Sequence, residues 1–219
     1  MTKVLYIEAS PGQDNSVSST LANSFLEAYR AKNPDHEIEH LPLFEVDLPN
    51  FGQEGARQKF ENLGAVMTGQ GPIEAQGEWA GVMAEIERLK SADKVLLSAP
   101  MWNFSIPWRL KQWIDVIAHI GVTVHLEPKD GGINYVGQIT GRPLQMILAS
   151  GSPYEMRFPL ESDEKVDFQR AYLDNIFRFI GFTDIRLVKA QPTGVPDGPQ
   201  REALQAEWEQ MAREAAGQF

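Results

Sequence analysis

Three short apolar runs constrain this chain more than any other feature: Lys3–Ala9 (KVLYIEA), Asp93–Ala99 (DKVLLSA) and Pro143–Ala149 (PLQMILA). Each is rich in β-branched or long aliphatic residues and too short for a core helix, so each reads as a buried strand. Between them lie segments of helical spacing. Leu21, Phe25 and Ala28/Tyr29 recur within Ser18–Ala31, and further helices are expected over Gly77–Ser91, Pro107–Ile120 and Ser162–Ile180. Gly121 and Gly181 read as helix stops. Glu37–Leu41 is a shorter, more polar strand suited to an edge, and Thr183–Lys189 reads as the last strand. The tail from Pro199 to Ala216 carries Leu204, Trp208, Met211 and Ala215 on one face, as an amphipathic closing helix would.

Strands alternating with helices imply an α/β protein, a parallel sheet covered on both faces. Five strands fit the doubly wound, flavodoxin-like order 2-1-3-4-5. With no internal repeat and no low-complexity linker, residues 1–219 read as one domain. The stretch Asn50–Gly77 is less tidy, with glycine at 52, 55, 64, 69, 71 and 77. It reads either as an irregular insertion covering the sheet or as a mobile flap over a pocket.

Composition removes several classes of function. There are no cysteines, so thiol catalysis, disulfides and Cys-ligated metal centres are excluded, and any redox chemistry needs a borrowed cofactor. A net charge of −10 argues against non-specific nucleic-acid binding. No run approaches the length of about 18 apolar residues that spans a bilayer. The N-terminus reads as a first strand rather than a signal peptide, so a cytoplasmic location is expected.

In such a sheet, ligands bind beyond the C-terminal strand ends at the switch point. The first loop there, Ser10 to Thr20, lacks a dinucleotide glycine fingerprint and a nucleoside-triphosphate loop, and no Lys or Arg occurs from Ser10 to Tyr29. It offers hydroxyls instead, at Ser10, Ser16, Ser18, Ser19 and Thr20, just where a helix begins. One would serve as an N-cap whatever the function. Five, with free amides at a helix N-terminus, suit a terminal phosphate. After the third strand comes Pro100-Met-Trp-Asn-Phe-Ser-Ile-Pro-Trp108. Met101, Trp102 and Phe104 can pack against a planar ring whose polar edge Asn103 can satisfy; the alternative makes Met101 and Trp102 core and Asn103 a turn residue. Pro107 opens the next helix, whose Leu110, Trp113/Ile114 and Ile117 are spaced for burial.

The run PMWNFSIPWRLKQWIDVIAHIGVTV resembles the PMYNF…P…LK…D…AR.GVTF signature of FMN-dependent NADH azoreductases, also called FMN-dependent NADH:quinone oxidoreductases. The likeness extends from MTKVLYIEAS through the serine loop to the strand and helix ending near Lys189. It implies bound FMN, a homodimer with active sites between subunits, and electron transfer from NADH or NADPH to quinones, azo compounds or nitroaromatics in two alternating (ping-pong) half-reactions. The family's phosphate contacts map onto Ser10, Ser16, Val17 and Ser18, and its ring contacts onto Met101, Trp102, Asn103 and Phe104. A third cluster, usually Ser-Arg-Gly-Gly, maps onto Ser150, Gly151, Ser152 and Pro153, where only the serine matches. Trp102 replaces the usual Tyr.

No charged side chain in these motifs is an evident general acid, so no catalytic residue is assigned; water or a backbone N–H is the expected proton partner. His36 and His40 would stand about 13 Å apart along a strand, too far to share a metal, and no metal site is expected. His119, near a helix end, reads as a cation favoured by the dipole, or as a residue at a pocket rim or dimer interface. His125 lies in the connection whose Asp130-Gly-Gly132 suggests a tight turn. Phe168, Tyr172, Ile176 and Phe179/Ile180 read as a packing stripe, while Trp108 and Trp113 are open between core and subunit interface. A flavodoxin-like FMN electron carrier, without direct NADH turnover, is the alternative function. A phospho-acceptor receiver would need a carboxylate at the end of the third strand, where Ser98-Ala-Pro100 has none.

Overall fold

In the computed structural model, which describes residues 1–12, 15–153 and 167–219, KVLYIE forms strand β1 (Lys3–Glu8), with Val4 to Ile7 all buried. A strand buried on both faces needs such a continuous apolar run. The chain continues as α1 (Val17–Lys32), β2 (Glu37–Pro42), α2 (Gln53–Met67), α3 (Gly77–Ser91), β3 (Lys94–Pro100) and α4 (Trp108–Ile117). Then follow β4 (Val124–Lys129), β5 (Gly132–Gly137), β6 (Pro143–Ala149), α5 (Phe168–Ile180), β7 (Asp184–Ala190) and α6 (Pro199–Gln218). Five strands make a parallel sheet in the order β2-β1-β3-β6-β7. Counted along the chain within that sheet, this is the expected 2-1-3-4-5, with β2 at an edge.

Side chains alternate between two cores. Leu5 and Ile7 pack with Trp79 and Ile86 of α3, Trp113 and Ile117 of α4, and Phe177 of α5. Val4 and Tyr6 pack on the other face with Leu21, Phe25 and Tyr29 of α1 and with Trp208 and Ala212 of α6. Among the described residues no helix is long and apolar enough to cross a membrane.

Four local expectations need correction. The buried stripe of α5 is Gln169, Leu173, Phe177 and Ile180, one residue on from the expected one; Phe168 and Phe179 are exposed, while Tyr172 and Ile176 are half-buried. The Gln169 amide tolerates burial by donating to the Ala99 carbonyl at 3.3 Å. Residues 162–166 of the expected helix lie outside the described residues. On α6, Trp208, Ala212 and Ala216 are buried and Leu204 and Ala215 pack half-buried against the same core, so of the expected face only Met211 is turned outward. Helix α4 stops at Ile117, ahead of Gly121, and Trp113 is core while Trp108 is exposed. The stretch 50–77 contains α2, whose first-turn amides of Gly52 and Gly55 donate to the Glu78 carboxylate at 3.1 and 2.5 Å. Gly55 is required there, since a Cβ would lie 2.8 Å from that carboxylate. The expected turn at Asp130–Gly132 joins β4 and β5, an antiparallel hairpin outside the main sheet.

Candidate functional site

Beyond the C-terminal ends of β1, β3 and β6, three loops converge on a cleft of about 380 Å³. The first is the serine loop. Ser16 caps α1, its hydroxyl accepting from the Ser19 amide at 3.3 Å and lying 3.2 Å from the Ser18 hydroxyl. The Ser10 hydroxyl accepts from the Gly12 amide at 3.2 Å, which keeps it at the strand end. Ser10, Ser16, Val17 and Ser18 all line the cleft. The amides of Val17 and Ser18, first in the helix, have no intrahelical acceptor. Thr20 instead bonds back to the Ser16 carbonyl at 3.0 Å, and Ser19 is buried outside the lining. Three of the five hydroxyls therefore face the cleft, and Ser16 is both cap and lining.

The second loop continues β3. The Met101 amide donates to the Ala149 carbonyl at 2.7 Å, extending the pairing with β6. Trp102 and Ser105 then exchange amide–carbonyl bonds of 3.0 and 2.9 Å around a two-residue turn, with Asn103 at φ 47° and Phe104 at φ 66°. Two left-handed residues in succession are what a type I′ turn demands, and only the first is of a type that tolerates it well. The Phe104 carbonyl is held by the Phe168 amide at 3.0 Å. Met101 and Trp102 line the cleft. Trp102 and Asn103 line a second, adjoining cavity of about 820 Å³, with Ile106, Trp108 and Tyr172 on its walls. Trp102 thus divides the two spaces. Its ring lies 5.6 Å from Phe44, which lies 6.0 Å from Trp108. Arg109 fastens the Phe44 loop by donating to the carbonyls of Leu43, at 2.7 Å, and Val46. Burial, followed by the nearby Asp115 charge, pushes the Tyr172 phenol up to about 12, so it is a neutral hydroxyl at ordinary pH.

The third loop follows β6. Ser150 and Gly151 line the cleft, whereas Ser152, Pro153 and Phe104 lie outside its lining. The Ser150 hydroxyl donates to the Ser152 carbonyl at 3.1 Å, which folds the loop on itself. Behind it runs the strap after β7: the Thr193 amide bonds the Ser150 carbonyl at 2.9 Å and the Gly194 amide the Gly151 carbonyl at 3.0 Å. A Cβ at 194 would lie 2.8 Å from the Gly151 oxygen, so the close approach needs glycine. Thr193 and Arg201 complete the cleft. Sequence reasoning missed both, because they come from the far end of the chain and match no motif.

The histidines stand apart from this cleft. His36 bonds the Tyr29 hydroxyl at 2.8 Å, and His40 bonds Glu8 at 2.8 Å while stacking on Tyr6. His119 is buried against Trp79 and Phe51, with ring centroids at 5.0 and 5.4 Å. Burial, then the charge of Lys59, lowers its pKa to about 4. It is therefore a neutral core residue, not the dipole-stabilised cation its position suggests.

The fold and the sequence recur among known proteins. Residues 2–212 match the family model described as "Flavodoxin-like fold". An "FMN-dependent NADH:quinone oxidoreductase" of Nitratidesulfovibrio vulgaris (strain DP4) is 42% identical over 224 residues, covering 100% of both chains. The crystal structure of an azoreductase from Bacillus anthracis str. Sterne superposes with a TM-score of 0.81 at 26% identity, covering 100% of both chains. An FMN-dependent NADH-azoreductase from Bacillus anthracis str. Ames Ancestor, solved in complex with FMN, gives a TM-score of 0.76 at 27% identity over 100% of this chain and 99% of that one.

Proposed function

The chain belongs to the flavodoxin-like family of FMN-dependent NADH:quinone oxidoreductases, and from that premise we propose that it passes electrons from a reduced nicotinamide to quinones and related azo or nitroaromatic acceptors. The observation that carries this reading is the cleft where a hydroxyl-lined helix start meets an aromatic loop at the sheet's switch point. Its donor set fits FMN from end to end: hydroxyls and free amides suit a phosphate, and apolar Met101 and Trp102 suit a ring. FMN held there would supply the redox chemistry that links hydride donation by the nicotinamide to reduction of the acceptor.

Ser10, Ser16 and Ser18, with the Val17 and Ser18 amides, would hold the phosphate. Met101 and Trp102 would wall the ring, and the left-handed turn at Asn103 and Phe104 would fix the backbone beside it. Ser150 and Gly151 would border the ring's other edge, braced by the 193–194 strap. The adjoining cavity would receive donor and acceptor in turn, against Trp102, Trp108 and Tyr172. No side chain is assigned as catalytic acid. The exposed Trp108 and the open cavity beside it support pairing with a second copy of the chain.

Initial rates of NADH oxidation at several fixed quinone concentrations test this reading. Parallel double-reciprocal lines are expected, because donor and acceptor alternate in one space. The carrier alternative, which the oxidoreductase names of the relatives disfavour, predicts flavin binding with no NADH turnover.

A further inference from the structure

We propose that Arg201 is the cationic partner of the cofactor's terminal phosphate and makes the chain prefer FMN to riboflavin. This rests on the FMN reading above. Arg201, in the first turn of α6, is the one charged residue among the described residues that line the cleft. A phosphomonoester carries a charge of about −1.5 to −2 near neutral pH. The described residues of the serine loop that line the cleft meet it with hydroxyls and amides, and the helix dipole contributes about half a positive charge. The whole chain meanwhile carries −10, so an approaching dianion needs a local positive centre. A guanidinium beside the serine loop supplies one.

The side chain is already oriented. Its Nη1 donates to the Thr193 and Val195 carbonyls at 2.8 and 3.0 Å, and its Nε faces the Asp197 carboxylate at 3.4 Å. Asp197 is fully exposed, so it screens the guanidinium weakly. Nη2 has no protein partner among the described residues and is left to donate to a ligand. The same residue also borders a side cavity of about 220 Å³ with Ser16, Thr20 and Trp208, so it is shared by the two spaces. Anchorage on the strap makes the charge preorganised, with little side-chain entropy left to lose on binding.

The test is a fluorescence titration of the flavin-free full-length chain with FMN and, separately, with riboflavin, at low and high salt. The variants are Arg201→Gln and Arg201→Lys. Wild type is expected to prefer FMN, with an affinity that falls as salt rises. Arg201→Gln should weaken FMN by about 10- to 100-fold, the range for a hydrogen bond to a charged group, flatten the salt dependence, and leave riboflavin within about twofold. Arg201→Lys should retain most of the preference. Equal weakening of FMN and riboflavin in both variants would show that Arg201 only braces the strap, and unchanged FMN affinity would also overturn the proposal. Wild type binding riboflavin and FMN equally would overturn it alone, whereas wild type binding neither would overturn the FMN reading beneath it.

Discussion

The turn at Asn103–Phe104 is where backbone strain and cofactor binding meet, and its cost can be worked out. Asn103 sits at φ 47° and Phe104 at φ 66°, held by two reciprocal bonds between Trp102 and Ser105. The left-handed region costs an ordinary L residue about 1–2 kcal/mol, and a β-branched residue there is a marked outlier. Asn103→Val should therefore destabilise the turn by about 1–2 kcal/mol. For a chain of this size that is roughly 2–8 °C in Tm; if the turn reforms only on binding, it is about 5- to 30-fold in FMN affinity. Asn103→Gly removes the side chain yet keeps the conformation. Its relief of strain roughly offsets an unfolded-state entropy cost of about 0.5–1 kcal/mol, so its stability should lie within about 0.5 kcal/mol of wild type. The assays are thermal unfolding of the flavin-free chain and an FMN titration. If the valine variant matches wild type in both, the turn is not what positions the ring. If glycine is as harmful as valine, the side chain and not the backbone carries the effect.

Replacing Ser16 and Ser18 together by alanine should weaken FMN binding by more than tenfold; loss of the α1 cap adds a stability cost of about 1 kcal/mol without unfolding the chain. Unchanged FMN affinity in a binding titration would remove the phosphate assignment. Trp102→Tyr should shift the acceptor KM more than FMN affinity, since Trp102 divides the cleft from the larger cavity; a change confined to Tm would make it a core residue instead. His119 predicts the pH dependence. Its folded pKa, about 4, lies below the ordinary value of 6.5, so the unfolded chain takes up the proton first as pH falls. Stability from this group is full above about pH 6.5 and is lost progressively down to about pH 4, by up to about 3 kcal/mol. Urea unfolding across that window should show the slope, and His119→Phe should flatten it.

The sheet was legible because β1, β3 and β6 are buried on both faces and so need uninterrupted apolar runs, a pattern few other elements produce. The cleft loops were legible for a related reason: Ser10–Ser18 and Met101–Phe104 are contiguous in sequence and sit directly at strand ends. What sequence hid was settled by distant partners. Helix α2 carries Gly55 and Gly64, which lower its intrinsic helicity, and it is held by Glu78 and by Gln58 bonding the Trp79 amide at 3.1 Å. The α5 stripe shifted because Gln169 occupies an inward position where an apolar residue would have marked the register, and aromatic residues flank it outside. The β4–β5 hairpin lacks alternation because residues 127–135 are exposed on both faces. Arg201 entered the cleft from α6, a helix whose own periodicity speaks only for Trp208 and its neighbours.

The most direct test of the central claim is an absorption spectrum of the purified chain with FMN, recorded before and after anaerobic addition of NADH and again after a quinone. Bleaching by NADH and recovery with quinone is the predicted result. A bound flavin that neither NADH nor NADPH bleaches, or a chain that binds no FMN, would contradict it.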